Sequence, residues 1–212
     1  MHKLLALFLL AGSLFGASFV GTGGLIPDGD VMTTDIVVPD LFTVSGVQVT
    51  LTDLTHTFVG DLSVQLTHIP SGITLDLFRF IGEDATTGRC ADSTAPPGTC
   101  FEDLGGTYVF SSLGVLTLDA AARLAAPLGP VPPGTYLPAT GNGVATSFSV
   151  FNGVSSQGTW RLTITDHELE DTGSFTSWTL DLAAAQATPE PATLSLVALG
   201  IGAVLFVRRR VA

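Results

Sequence analysis

The sequence predicts an all-β fold, an antiparallel β-sandwich, on three observations. Apolar and polar residues alternate with period two in a series of short runs. Gly, Pro, Asp and Ser bound those runs. One plausible helical stretch stands out, Leu118–Leu124, and it is too short to form a layer.

The elements follow in chain order. Val20–Asp40 starts with Gly and Asp, which predicts a flexible arm over residues 19–39 ahead of a sandwich over 40–184. Val47, Val49 and Leu51 alternate with Gln48, Thr50 and Thr52. Leu62, Val64 and Leu66 alternate with Ser63, Gln65 and Thr67. Ile73, Leu75 and Leu77 share a face opposite Thr74 and Asp76, and Ile69–Gly72 is the turn between these two runs. Pro127–Gly143 is rich in Gly and Pro and reads as loop. Trp160, Leu162 and Ile164 alternate with Arg161, Thr163 and Thr165, and Trp178, Leu180 and Leu182 with Thr179 and Asp181. Both Trp residues are in phase with apolar neighbours. That places them in the core rather than on a sugar-stacking platform.

The ends differ from the middle. Residues 1–18 read as a secretory signal peptide: Lys3, the apolar run Leu4–Leu14, then small residues at Gly16 and Ser18 for a cut after Ser18 by signal peptidase. Residues 185–212 hold Pro189-Glu190-Pro191, the apolar run Ala192–Val207, and Arg208, Arg209 and Arg210. Sixteen helical residues rise about 24 Å against a hydrocarbon core of about 30 Å, and Arg side chains can snorkel across the difference. The predicted intermediate is a single-pass chain, with its domain outside and its Arg cluster in the cytoplasm.

Between these ends, residues 19–188 carry four Arg, no Lys and 18 acids, a net charge of −14. Such a surface repels phosphate backbones and argues against nucleic-acid binding. Cys90 and Cys100 are the only cysteines and lie in a turn-rich stretch. In an exported chain this most simply means one disulfide, contributing somewhat under about 3 kcal/mol for so small a loop.

Two resemblances rest on these residues. Pro189-Glu190-Pro191, the short apolar run and the Arg cluster together resemble the PEP-CTERM sorting signal of Gram-negative bacteria. That resemblance implies removal of the tail near Pro-Glu-Pro by an exosortase, a membrane cysteine protease. It also implies a secreted or cell-envelope destination, often alongside exopolysaccharide. The second resemblance starts in Val47–Leu66, where His56-Thr57-Phe58 leads into Gly60-Asp61-Leu62 and an alternating strand, followed by Ser71-Gly72. It continues through Phe148–Gly153, Gly158–Asp166 and Asp171–Leu180. These blocks resemble the P domain (P/Homo B) that accompanies subtilisin-like proprotein convertases, over roughly residues 40–183. The resemblance implies a jelly-roll-like sandwich similar to galactose-binding-like domains. The Cys90–Cys100 loop departs from it as an insertion.

The chemistry expected of a protease is missing from the sequence. There is no Gly-Thr-Ser nucleophile turn, no His-Gly helix start and no Gly-x-Ser-x-Gly elbow. Asp171-Thr172-Gly173 matches an aspartic-protease triplet. That mechanism needs two carboxylates sharing a proton, and His167–Asp171 is polar where a buried strand should lead in. The chain therefore reads as no enzyme. His56, His68 and His167 lack the spacing of a zinc site. Calcium is the better candidate cation, because Asp53, Asp61, Asp166 and Asp171 offer hard oxygen ligands at strand ends and turns. Glu168, Glu170, Glu102 and Asp103 stand beside or near similar turns. Turn-capping acids on a solvated surface are the plainer reading of the same residues.

The function expected is an exported, non-catalytic binding or structural module at the cell surface or in the extracellular matrix. Its partners would be exopolysaccharide or surface proteins. The alternative is a detached P domain that stabilises a subtilisin-like serine endopeptidase.

Overall fold

The computed structural model describes residues 16–81, 103–124 and 130–185. Residues 1–15, most of the expected signal peptide, lie outside the described residues. So do Cys90, Cys100 and Glu102, and so do Pro189, Glu190, Pro191, the apolar run and the Arg cluster.

The described residues form nine strands in two sheets with one helix. The strands are β1 (Ala17–Ile26), β2 (Val31–Val38), β3 (Val44–His56), β4 (Leu62–His68), β5 (Ile73–Arg79), β6 (Leu104–Ser111), β7 (Gly134–Tyr136), β8 (Gly158–Asp166) and β9 (Gly173–Ala184). Helix α1 spans Leu118–Leu124. One sheet has the order β1-β9-β3-β6-β7 and the other β2-β8-β4-β5. All pairings are antiparallel except β6 with β7.

The alternation seen in the sequence sets the inner faces. Val47, Val49 and Leu51 of β3 are buried, as are Leu62, Val64 and Leu66 of β4. Trp160, Leu162 and Ile164 of β8 meet them in the core, with Trp178, Leu180 and Leu182 of β9. Both Trp side chains are fully buried, as their phase predicts. Phe151 packs against Trp160 at 5.1 Å between ring centres, and Phe78 stacks on Phe110 at 5.6 Å. Burying side chains of this size is the main favourable term in folding such a domain.

The predicted arm is corrected. Residues 17–38 form β1 and β2, and each adds an edge strand to one sheet. The glycines that suggested looseness are there for close approach. A Cβ on Gly21 would lie 2.2 Å from Trp178 Nε1, and one on Gly23 would lie 2.1 Å from the Phe175 carbonyl oxygen. Glycine inside a strand marks such contacts. β2 is pinned to β8 by Arg161, whose guanidinium donates to both Asp35 carboxylate oxygens at 2.8 and 2.9 Å. That guanidinium holds the Asp35 carboxyl below its ordinary range.

Strand polarity divides the molecule into two ends. The loops 27–30, 57–61 and 167–172 gather at one. The starts of β1 and β3 and the finish of β9 lie at the other. β1 begins at Ala17, so a cut after Ser18 falls inside a strand paired through Ala17 to Leu182 and Ser18 to Asp181. Among the described residues no helix is long and apolar enough to cross a membrane.

Candidate functional site

The acidic end is where most of the candidate residues meet. Loop 57–61 contains a short 3-10 turn, Val59–Asp61, which closes as the Asp61 N–H donates to the Phe58 carbonyl at 3.3 Å. The His167 N–H then donates to the Asp61 carbonyl at 3.0 Å, tying this loop to the one after β8. Thr57 Oγ1 donates to Asp171 at 2.7 Å and accepts from the Thr172 N–H at 3.1 Å. The first loop joins in as well. Asp28 accepts from the Glu170 N–H at 3.0 Å, and the Asp30 carbonyl accepts from the Asp166 N–H at 3.0 Å. Three loops far apart in sequence are thus held by their own Asp and Thr side chains, the turn chemistry for which those residues are suited.

Beneath the loops lies a buried imidazole–carboxylate pair. His56 and Asp166 are each about 1% exposed, and His56 Nε2 stands 3.3 Å from Asp166 Oδ2. His56 Nδ1 lies 2.8 Å from the Phe58 carbonyl oxygen and also accepts from the Phe58 N–H at 3.2 Å, while Nε2 faces Asp166. The second Asp166 oxygen accepts from the Glu168 N–H at 3.3 Å. Asp166 therefore braces β3, β8 and the following turn from inside.

Of the four predicted calcium ligands, Asp61, Asp166 and Asp171 reach this end. Asp53 does not. It occupies the irregularity in β3 between Leu51 and Leu54, with φ at 51°, and accepts from Thr176 Oγ1 at 3.2 Å on the face of the larger sheet. The four do not make one cluster. Among the described residues, no group of three or more His, Cys, Asp or Glu is disposed to hold a metal ion.

The fold gives the histidines separate roles. His167 Nε2 meets Ser63 Oγ at 2.9 Å, and its ring packs on Phe80. Ser63 and Asp166 are thus held by different imidazoles. The Ser63–His167 contact, 104 residues apart, had no local signal in the sequence. His68 sits at the opposite end, 1% exposed. Its Nδ1 bonds Ser71 Oγ at 2.9 Å, its ring lies 4.5 Å from that of Trp160, and its Nε2 has no hydrogen-bond partner. Burial pushes its pKa down.

Comparison with known proteins gives two family matches. Residues 137–182 match the proprotein convertase P-domain, and residues 187–210 match the PEP-CTERM protein-sorting motif. The domain combination expected from the residues is supported by both. The first match takes in β8 and nearly all of β9; the blocks in Val47–Leu66 lie outside it. In proprotein convertases the P-domain is a non-catalytic accessory domain. The second match spans Pro189-Glu190-Pro191 to Arg210 and implies export to the envelope or beyond in a Gram-negative bacterium, with exosortase processing. No curated protein matches the chain. Among solved structures the chain is similar to the serine protease of Aeromonas sobria, at 19% identity and a TM-score of 0.39, covering 87% of this chain and 28% of that one. The complex of the Aeromonas sobria serine protease with its chaperone gives 16% identity and a TM-score of 0.40, covering 82% of this chain and 28% of that one. The chain thus spans about a quarter of the length of these proteins.

Proposed function

We propose that this is an exported, non-catalytic sandwich module that an exosortase releases or transfers at the cell surface, where it serves as a binding or structural element. The observation that carries this reading is the adjacency of the two matches. A P-domain segment ending at 182 is followed at 187 by a complete sorting motif. In this reading the tail holds the chain in the membrane as a single-pass intermediate. Cleavage near Pro189-Glu190-Pro191 frees the folded domain, which a Cys90–Cys100 disulfide completes.

A jelly-roll arrangement is part of the same proposal, and the strand order supports it. With β7 set aside, the first sheet runs first-last-third-sixth and the second runs second-seventh-fourth-fifth. That alternation between sheets is what two interlocked Greek keys produce. Calcium is left out of the proposal, because the described residues bring no three of these acids together at one point.

Intact mass tests the reading. Protein from the surface fraction of an exosortase-competent host should end near residues 188–190, two hydrogens lighter than the reduced chain. In a host lacking the exosortase it should keep its Arg tail. A tail retained in the competent host sinks the sorting half of the proposal.

The family match also supports a second reading, a detached accessory to a subtilisin-like serine endopeptidase. That reading requires the purified domain to raise the melting temperature of such a protease from the same host. No shift at saturating domain would discard it.

A further inference from the structure

Both ends of the described sandwich emerge on one side. Ala17 pairs with Leu182, and the Ala185 N–H donates to the Thr43 carbonyl at 2.8 Å. The tail therefore leaves from the end remote from the acidic loops. Six residues separate Ala185 from Ala192, where the apolar run begins, a span of seven Cα steps. Fully extended, they reach at most about 25 Å.

Both ends expose apolar side chains: at the acidic end Leu25 at 79% and Leu169 at 70% stand among carboxylates, whereas at this end they stand almost free of charge. Leu41, beside the start of β3, is 74% exposed, and Val150, in the short 3-10 turn Phe148–Phe151, is 46% exposed. β6 runs from Leu104 beside His56 to Ser111 beside Gln48, so the loop after it opens in the half of the larger sheet nearer the tail, where it turns against Tyr136 and Leu137. That loop carries Leu113 at 65%, Val115 at 87% and Leu116 at 40% exposure. Single exposed apolar residues are ordinary, but three within four positions at the end that bears the tail are not a scatter. Charge runs the other way. Loops 27–30, 57–61 and 167–172 contain six acids and no Lys or Arg. Loops 39–43, 69–72, 112–117 and 147–157 contain one charged residue, Asp40.

We propose that, while the tail still tethers the chain, this apolar end rests on the lipid surface, with Leu113, Val115 and Leu116 entering the interface and the acidic end directed outward. The proposal rests on the tethered intermediate proposed above. A bilayer suits the observations because the tail brings it within reach. Anionic headgroups repel the acidic end and meet almost no charge at the other. Exposed aliphatic side chains lie favourably at the headgroup boundary.

Two single-Trp additions test it, Val115→Trp at the proposed contact and Leu169→Trp in the acidic loop after β8. Both positions are exposed, Leu169 at 70%. Trp160 and Trp178 are buried and form a constant background. The full chain is incorporated into phosphatidylcholine vesicles with brominated acyl chains, and insertion is checked by flotation. The expected result is loss of emission from the Trp at 115, with the Trp at 169 unaffected by bromine but quenched by iodide. Equal quenching at both positions, or none at 115 in floated vesicles, overturns the docking while leaving the tether intact. A Trp at 115 shielded from iodide but not quenched by bromine points to a protein or a second copy and also overturns it. A chain that fails to float removes the tethered reading, and the docking with it.

Discussion

Gly21→Ala tests whether β1 is a true strand of the sandwich. The added carbon would sit 2.2 Å from Trp178 Nε1, 2.7 Å from Cε2 and 2.8 Å from Cδ1. Ordinary contact between such atoms is about 3.5–4 Å. The Trp178 ring is rigid and fully buried, so the clash must move either the ring or β1. Overpacking of this kind costs about 1–3 kcal/mol. Restricting the unfolded chain by replacing Gly returns about 0.4–1 kcal/mol. The expected net loss is about 1–2 kcal/mol, or a fall of about 2–8 °C in Tm for a domain of this size. Gly24→Ala is the matched control. Its new carbon meets only the Met32 side chain, Cε at 2.8 Å and Sδ at 3.8 Å, and that flexible side chain can swing aside. Thermal melts followed by Trp fluorescence compare the two. If Gly21→Ala melts at or above the control, β1 is not clamped beneath Trp178, and the correction of the arm to a strand is wrong.

Two further perturbations probe the histidines. His68 has a lowered folded pKa, so between that value and the unfolded value of about 6.5 the unfolded chain binds more protons than the folded one. Stability should therefore be full above that range and decline as pH falls through it. His68→Phe keeps the ring beside Trp160 and should flatten that slope in melts from pH 8 to 5; an unchanged slope would exclude His68 as its source. His56→Ala removes a hydrogen-bond partner from the buried Asp166 carboxylate. It should cost on the order of 3 kcal/mol in urea denaturation at pH 7, and Asp166→Asn should cost less, because no charge is stranded. Equal losses would show that the carboxylate's charge does not matter there.

Five strands, β3, β4, β5, β8 and β9, were legible because half-buried strands print their two faces as alternation. The α1 boundaries and the turn after β4 were legible for equally local reasons. β1 was not, since Gly21, Gly23 and Gly24 carry no side chains to alternate, and their purpose lies in Phe175 and Trp178. β6 opens with two glycines after Leu104, and β7 is only three residues long, so neither shows a period. At the acidic end the residue types were legible as turn formers. Their meeting was not, because the contact of His56 with Asp166 spans 110 residues and depends on β3 and β8 lying in facing sheets.

The pairing of β1 with β9 has a consequence for the order of events during export. In the export proposed above, β1 crosses the membrane long before β9, the strand that completes its pairing. The larger sheet cannot close until residue 184 has emerged, just ahead of the tail. Contacts this distant in sequence form slowly, so the domain spends the whole of its translocation with an open edge. In the tethered intermediate proposed above, the tail would keep each chain apart from its neighbours while β1 finds its own β9, and would limit the exchange of that strand between copies, the route by which such an edge would otherwise make swapped dimers.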